Sequence, residues 1–143
     1  MKIVKLCKAD SEKIATIFEK SFSDGWSEKM INDGFDGGLL NAFGIEKEGE
    51  LAGAITFSLG LDSVDIEDVA VLPNYRRHGF AKMLIEALIT EAKGKGIDKI
   101  FLEVRKTNDA AIKLYQGQGF NKISERKKYY QNGEDAIVML KEI

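Results

Sequence analysis

The sequence predicts an α/β fold of the mixed α+β type, with about seven strands in one mostly antiparallel sheet and about four helices on its two faces. The first observation is size, because 143 residues, 44% of them hydrophobic, suffice for a single domain (residues 1–143) with a substantial core. The second is periodicity, since apolar residues recur at strand spacing in some segments and at helical spacing in others. The third is the order β-αα-βββ-α-β-α-ββ, whose central strand–helix–strand unit predicts a right-handed parallel crossover.

The chain opens with a predicted strand at residues 3–6, followed by a helix. Asp10 or Ser11 can cap this helix, because short polar side chains accept hydrogen bonds from the N–H groups of a first turn. Cys7, next to the opening strand, is expected to be buried filler rather than a reactive thiol. The apolar stripe of the helix is formed by Ile14, Ile17, Phe18 and Phe22.

A second short helix is predicted after Ser27, which can act as its N-cap, with Met30 and Ile31 facing the core. Trp26 precedes this cap directly. It is expected either to cover the core as a staple against the first helical turn or to line a substrate groove. Residues 32–38 contain three glycines and two aspartates and therefore predict a loop.

Three strands are predicted next, at residues 40–47, 51–59 and 64–71. The first two are joined by Glu48-Gly49-Glu50, a sequence typical of a hairpin. A long helix is predicted from Phe80 to about Lys93, and the glycines at positions 94 and 96 favour its end there.

The last part of the chain predicts another strand, at residues 99–104. Thr107 or Asn108 can cap a helix that runs to about Gln116. The closing strands are predicted at residues 120–125 and 135–141, separated by a polar segment at 126–134.

Composition argues against several classes of function. A net charge of −2 is unlike that of a general nucleic-acid binder. The apolar runs are too short to span a bilayer, and the charged opening residues are unlike a signal peptide, so we expect a cytoplasmic protein without membrane contact. Because the sequence has one cysteine and one histidine, it predicts no metal site and no internal disulfide. We expect a monomer or weak dimer.

An anion-binding site is predicted where the strand at residues 64–71 leads into the long helix. The intervening loop contains Arg76, Arg77, Gly79 and Lys82. Free N–H groups and the positive end of the helix dipole meet at a helix N-terminus, and a glycine lets the backbone approach a ligand. The same residues are also compatible with an ordinary surface turn that carries solvated basic side chains.

The pattern Arg-x-x-Gly-x-Ala in this loop resembles the pyrophosphate loop of the GCN5-related N-acetyltransferases (the GNAT family), whose motif is (Gln/Arg)-x-x-Gly-x-(Gly/Ala). The resemblance implies that acetyl-CoA is the co-substrate and that its diphosphate contacts the loop. The corresponding residues are Arg76, Arg77, His78, Gly79, Phe80, Ala81 and Lys82. The order of strands and helices is also that of the family, so the resemblance covers the whole chain.

A second group of polar residues follows the long helix. Glu103 lies at the end of a strand, and Asn108 and Tyr115 are seven residues apart on one helix face, so all three can face one groove. Each also has a purely structural interpretation. Glu103 can form an ion pair with Arg105 or Lys99. Asn108 can be only an N-cap, and Tyr115 can be only a core residue with a hydrogen-bonded tip.

Two further carboxylates are rivals for the role of a catalytic base. Glu67 and Asp68 are neighbours on the strand that precedes the basic loop. Because side chains alternate along a strand, we expect them on opposite faces, with only one of them directed at an acceptor.

Several segments closely resemble the bacterial ribosomal-protein alanine N-acetyltransferases within this family. They are residues 26–29, 102–105, 108–115 and 119–120, and Tyr129-Tyr130 followed by 134–136. The resemblance implies that Glu103 is the proton acceptor, Tyr115 the proton donor and Asn108 a cofactor contact. It further implies a strand that holds the pantetheine arm, at Val69, Ala70 and Val71, and acceptor contacts at Trp26, Tyr129 and Tyr130.

The chain also departs from that subfamily at four positions. Gly25 and Gln131 stand where proline is usual, beside the expected peptide groove. His78 occupies a position that is commonly arginine, and Ala81 replaces a commoner glycine that the broader motif also allows. The first two departures bear on the identity of the acceptor more than on the chemistry.

Together these features predict an acetyl-CoA-dependent N-acetyltransferase that modifies the N-terminal α-amine of a protein, such as a ribosomal protein. At pH 7 about a tenth of an α-amine is neutral, against a few lysines in about ten thousand, and one carboxylate base is easier to reconcile with the former. The alternatives are a family member that acts on a small amine or a lysine, and a non-catalytic acetyl-CoA-binding module. A P-loop nucleotide-binding domain is disfavoured because the loop lacks the Gly-Lys-(Ser/Thr) ending.

Overall fold

The structure, a computed structural model, describes residues 1–21 and 26–143. Within these residues it has the α+β fold that the sequence predicts, a seven-stranded mixed sheet with four α-helices. The strands are β1 (Lys2–Leu6), β2 (Leu40–Lys47), β3 (Glu50–Leu59), β4 (Val64–Val71), β5 (Lys99–Arg105), β6 (Asn121–Arg126) and β7 (Ala136–Glu142). The helices are α1 (Ser11–Glu19), α2 (Glu28–Asp36), α3 (Phe80–Gly94) and α4 (Asp109–Gly117). None of these helices is long and apolar enough to cross a membrane.

The strands lie in the order β1-β2-β3-β4-β5-β7-β6. All neighbours are antiparallel except β4 and β5, which are parallel and are connected through α3. The predicted strand–helix–strand crossover is therefore present at the centre of the sheet. Ligands in such sheets bind where neighbouring strands part at their carboxyl ends.

The central pair of strands parts early. Pairing between β4 and β5 is limited to three positions and ends at Ile66 opposite Leu102. Strand β4 nevertheless continues to Val71 and β5 to Arg105. Over this stretch the backbone N–H and C=O groups of β4 that point away from β3 form no hydrogen bonds with β5. The sheet is therefore open here to a ligand that can hydrogen-bond to backbone groups.

Each face of the sheet is covered by two helices. One core packs α3 and α4 against the sheet, with Leu84, Leu88 and Tyr115 among its buried members. The other packs α1 and α2 against the opposite face, with Phe18 and Ile31 fully buried. The two cores thus hold the strands on either side of the opening between β4 and β5 by close packing.

One expectation for the first residues is wrong, and another holds in position only, since Asp10 is the N-cap residue of α1 but makes no capping hydrogen bond through its side chain. Cys7 is exposed, because β1 ends at Leu6 and the chain turns at once into a 3₁₀ segment at Lys8–Asp10. The carboxylate of Asp10 accepts from the N–H of Cys7 at 2.9 Å and not from the first turn of α1. Ser11 Oγ instead donates to a backbone carbonyl of the 3₁₀ segment. The expected stripe position Phe22 lies outside the described residues.

Helix α2 begins as predicted but ends later. Ser27 Oγ accepts from the N–H of Met30 at 3.2 Å, which confirms the N-cap. The loop expected at residues 32–38 is helical up to Asp36. A Cβ on Gly34 would lie 2.9 Å from Cβ of Leu40, so a glycine here lets the helix approach β2 closely. Met30 is 48% exposed, because successive helical residues differ by about 100° and Ile31 takes the inward position.

Candidate active site

A cavity of about 1100 Å³ occupies the opening between β4 and β5. It extends from the loop before α3, along the carboxyl halves of both strands, to the loop between β6 and β7. All of the site residues predicted from the sequence line it except His78, whose ring lies 5.8 Å from that of Phe80. The groups expected to hold a phosphate and those expected to move protons therefore share one cavity.

The loop at one end of the cavity has the backbone shape of an anion site. Gly79, with φ of 76°, is the N-cap of α3, and Arg77 also has a positive φ of 68°. A Cβ built on Gly79 would meet no atom within 4 Å, so this backbone faces open space at the helix N-terminus. The side chains of Arg77 and Lys82 are exposed beside it. The arrangement suits a diphosphate, because N–H groups, helix dipole and cations converge there.

Arg76 has a role that the sequence did not indicate. Its Nε donates to the carbonyl oxygen of Val71 at 3.0 Å, and its Nη2 donates to Ser21 Oγ at 3.4 Å. The guanidinium thus ties the loop to the end of β4 and to the end of α1. We infer that Arg76 shapes the loop, and that the charge available to a phosphate comes mainly from Arg77 and Lys82.

Glu103 lies on β5 in the middle of the cavity wall. Its partner is Arg126, with Nε 3.1 Å from Oε1, and not Arg105 or Lys99 as considered above. The hydroxyl of Tyr129 also donates to its carboxylate, and this hydrogen bond is the main cause of the raised pKa of Tyr129. Arg126 could not be identified from sequence, because its approach to β5 depends on β7 lying between β5 and β6.

Tyr115 is buried on α4, with its ring edge-on to Phe120 at 5.8 Å between centroids. Burial, followed by the negative charge of Asp68 and by Tyr130, raises the pKa of its hydroxyl well above the ordinary value. It is therefore a neutral phenol, able to donate a proton but not to accept one. Asn108 is the N-cap of α4, since its Oδ1 accepts from the N–H of Ala111 at 3.1 Å, and it also lines the cavity.

The expectation that Glu67 and Asp68 lie on opposite faces is wrong. The pairing of β3 with β4 is irregular between Thr56 and Phe57, where Glu67 is the extra residue of a bulge. Ile66 and Val69, on either side of the two acids, both contact the core beneath α3. Both carboxylates therefore belong to the other side of the strand, and both line the cavity.

The pKa values of these two acids are raised by burial and by nearby carboxylates. Burial raises the pKa of Glu67, the hydrogen bond from Ser58 lowers it, and Asp65 and Glu103 raise it again. The pKa of Asp68 is raised to about 7, first by burial and then by the charge of Glu67. Asp68 is thus close to half-protonated at neutral pH.

A pH-dependent stability follows from this shift. An acid with a raised pKa in the folded state binds its proton more tightly there, so ionisation destabilises the protein as the pH rises from about 4 to about 7. We expect Asp68→Asn to raise the free energy of unfolding at pH 8 by between about 1 and 4 kcal/mol, and to change it little at pH 4. Urea unfolding at both pH values tests this, with the exposed Asp62→Asn as control. An equal effect of Asp68→Asn at both pH values would contradict the assignment.

The loop between β6 and β7 closes the far side of the cavity. Glu134 accepts from Arg105 Nη1 at 3.1 Å and from Thr107 Oγ1 at 3.2 Å, which fastens the loop to β5 and to the start of α4. The guanidinium of Arg105 lies 4.0 Å from the centroid of the Tyr130 ring. Tyr130 is thereby placed against β5 and is in edge-to-face contact with Tyr129, whose hydroxyl donates to the carboxylate of Glu103.

Trp26 covers the core, as the first of its two interpretations expects, and its role as a substrate contact stays a prediction. It is half-buried, packs against the core beneath α1 and α2, and also lines the cavity. Gly25, the neighbouring departure from the subfamily pattern, lies outside the described residues.

Comparison with known proteins identifies the class. The model of the acetyltransferase (GNAT) family matches residues 11–120, so the chain belongs to this family and is an acyltransferase. Among curated proteins it is similar to the [ribosomal protein bS18]-alanine N-acetyltransferase of Escherichia coli strain K12, at 36% identity over 86% of this chain and 84% of that one.

Solved structures agree with this result. The crystal structure of the ribosomal-protein-S18-alanine N-acetyltransferase from Escherichia coli superposes with a TM-score of 0.91 at 34% identity, covering 99% of this chain and 93% of that one. A NatC complex solved with Gag peptide and CoA has a TM-score of 0.81 at 25% identity, covering 100% of this chain and 99% of that one. The resemblance stated from the sequence is thereby confirmed.

Proposed function

We propose that this protein is an acetyl-CoA-dependent N-acetyltransferase that acetylates the N-terminal α-amine of a protein, a ribosomal protein being the first candidate, by direct transfer. The observation that carries the proposal is one cavity that has a helix N-terminus with basic side chains at one end and a carboxylate and a phenol further along. The E. coli relative acts on a ribosomal-protein alanine, as its name states.

The residues at the loop end fit the diphosphate of acetyl-CoA. Gly79 leaves room at the N-terminus of α3, while Arg77 and Lys82 supply positive charge. Val69 to Val71 run along the opening, where β4 lacks a partner on the β5 side, and this suits the amide-bearing pantetheine arm. We assign Asn108 to the same arm, through the part of its side chain not used for capping. When bound, the co-substrate supplies an activated acetyl thioester.

Two side chains of the chain itself would move the protons. Glu103 accepts a proton from the acceptor's ammonium group, directly or through water, which frees a lone pair for attack. Backbone N–H groups near Val69 and Val71 polarise the thioester carbonyl. Tyr115, which its buried position keeps protonated, donates to the departing sulfur.

An extended peptide terminus is the acceptor that best suits the other end of the cavity. Trp26, Tyr129 and Tyr130 supply aromatic walls, and Tyr129 is 49% exposed. An α-amine is also the easier nucleophile, because at neutral pH its neutral fraction exceeds that of lysine by a few hundredfold, or about 3 kcal/mol. The alternatives are a small amine, a lysine side chain, or acetyl-CoA binding without catalysis.

Mass spectrometry after incubation with acetyl-CoA and short peptides tests the proposal. The peptides carry Ala, Ser, Met or Pro at the N-terminus and one internal lysine, and each has a matched form with a blocked N-terminus. We expect acetylation of free Ala or Ser termini and none of the blocked peptides. Acetyl on lysine alone would overturn the α-amine assignment, and tight acetyl-CoA binding without turnover would favour a non-catalytic module.

A further inference from the structure

Four carboxylates of the described residues line the cavity, and one of them differs from the others in its surroundings. Glu103 is paired with Arg126 and accepts from Tyr129, and Glu67 accepts from Ser58 Oγ at 3.0 Å. Asp65 is exposed to solvent. Asp68 is half-buried, and among the described residues its carboxylate has neither a hydrogen-bond donor nor an ion-pair partner.

The bulge in β4 explains how an unpartnered carboxylate comes to be there. Asp68 pairs across the sheet with Thr56, whose hydroxyl is itself buried and makes no hydrogen bond within the described protein. The groups that face Asp68 electrostatically are Glu67 on its own strand, Tyr115 on α4 and Tyr130 on the β6–β7 loop. Glu67 repels the charge of Asp68, whereas the hydroxyls of Tyr115 and Tyr130 can donate to it. A carboxylate that is partly withdrawn from water without a partner costs stability, so its presence in the same cavity as Tyr115 calls for a functional explanation.

The stoichiometry of acetyl transfer provides one. An ammonium nitrogen carries three protons and the amide product carries one, so two protons leave the nitrogen in each turnover. Under the proposed function Glu103 takes the first, before the C–N bond forms. Tyr115 gives its own proton to the sulfur as the C–S bond breaks, which leaves a phenolate that must be neutralised. Neither residue accounts for the second proton of the nitrogen.

We propose that Asp68 is a second base, which takes the second proton from the nitrogen and returns it to Tyr115. The N–H bond breaks, its electron pair stays on the amide nitrogen, and the proton passes through a carboxylate oxygen of Asp68 to the phenolate oxygen. Tyr115 and Asp68 are then restored, and Glu103 releases the first proton to solvent. The step rests on acetyl transfer as proposed above but holds for any amine acceptor.

The pKa values of Asp68 and Tyr115 suit a carboxylate that accepts a proton and then passes it on. A carboxyl with a pKa near 7 can accept a proton and give it up again at neutral pH, whereas an ordinary aspartate would hold it too weakly. Buried Tyr115, whose pKa is far higher, is a strong enough base as phenolate to recover the proton.

The test compares Asp68→Asn with Asp62→Asn, an exposed residue of the β3–β4 turn, at saturating acetyl-CoA and peptide. We expect kcat of Asp68→Asn to fall about 10- to 100-fold, with Asp62→Asn at the wild-type rate. The dissociation constant of acetyl-CoA should stay within about twofold in both. Circular dichroism and the unfolding midpoint verify that each variant is folded.

The pH dependence separates proton transfer from a structural role. In the wild type, kcat should rise with pH, which gives the pH profile an ascending limb. The pH at the midpoint of this limb should be the same for peptides whose amines differ in pKa. Asp68→Asn should lose this limb, and Asp68→Glu, which keeps a carboxylate, should retain one. Wild-type kcat or an unchanged limb in Asp68→Asn would overturn the role of Asp68. A wild type that acetylates no amine would instead overturn the proposed function.

Discussion

Replacement of Tyr115 by phenylalanine is expected to lower kcat for acetyl transfer by about 100- to 10,000-fold, the range that general acid catalysis supplies. The substitution removes only the hydroxyl. The ring, buried on α4 and in edge-to-face contact with Phe120, retains its packing. Burial and the charge of Asp68 keep the phenol neutral, so it carries a proton that it can donate. Steady-state kinetics at saturating acetyl-CoA and peptide measure the effect.

The matched control for this substitution is Tyr75→Phe. The hydroxyl of Tyr75 donates to Glu50 Oε2 at 2.9 Å, on the side of β3, and its ring is stacked on Phe80. Its loss should change kcat by less than about threefold. In Tyr115→Phe the Kd for acetyl-CoA and the midpoint of urea unfolding should stay near wild type. A fall in kcat that is matched by an equal fall in acetyl-CoA affinity would assign Tyr115 to binding and not to proton donation.

The fold was predictable because local signals agree with the global arrangement in almost every element. Apolar periodicity located all seven strands, and the polar residues Ser27 and Asn108 marked two helix starts correctly. The end of α2 was misjudged because a glycine can be selected for close packing as well as for a turn. At Gly34 the packing against Leu40 prevails.

The site residues that could be predicted are those that a local sequence pattern defines. Gly79 and its basic neighbours form a contiguous loop, and Glu103 and Tyr115 occupy strand and helix positions that the pattern defines. What the sequence could not indicate depends on pairing between distant strands. Arg126 meets Glu103 only because β7 lies between β5 and β6, and Asp68 joins Glu67 on one side only because β3 imposes a bulge.

The bulge also changes how charge is distributed in the cavity. Regular alternation would have directed one of the two β4 acids into a core, where an unpaired charge costs several kcal/mol or more. With the extra residue both acids line the cavity, where the charge of Glu67 adds to burial in raising the pKa of Asp68. The irregularity in the sheet therefore contributes to the near-neutral pKa of Asp68, of which burial is the larger cause.

The substitution Gly79→Val is expected to raise the dissociation constant of acetyl-CoA about 100-fold, as loss of one or two hydrogen bonds to a charged phosphate would do. At φ of 76° a β-branched side chain is strongly disfavoured, so the loop must change its backbone to accommodate valine. The new side chain also projects into the open space at the N-terminus of α3 that a diphosphate would need. Isothermal titration calorimetry with acetyl-CoA measures the affinity.

The other end of the same helix provides a matched control. Gly96 has φ of 74°, and a Cβ there would likewise meet no atom within 4 Å, but it does not line the cavity. Gly96→Val should therefore lose a similar amount of stability, about 1–3 kcal/mol, while acetyl-CoA affinity stays near wild type. Equal losses of affinity in both variants would mean that a general loosening of α3 is responsible. A loss confined to Gly79→Val would assign the helix N-terminus to the co-substrate, because backbone strain is the same in both.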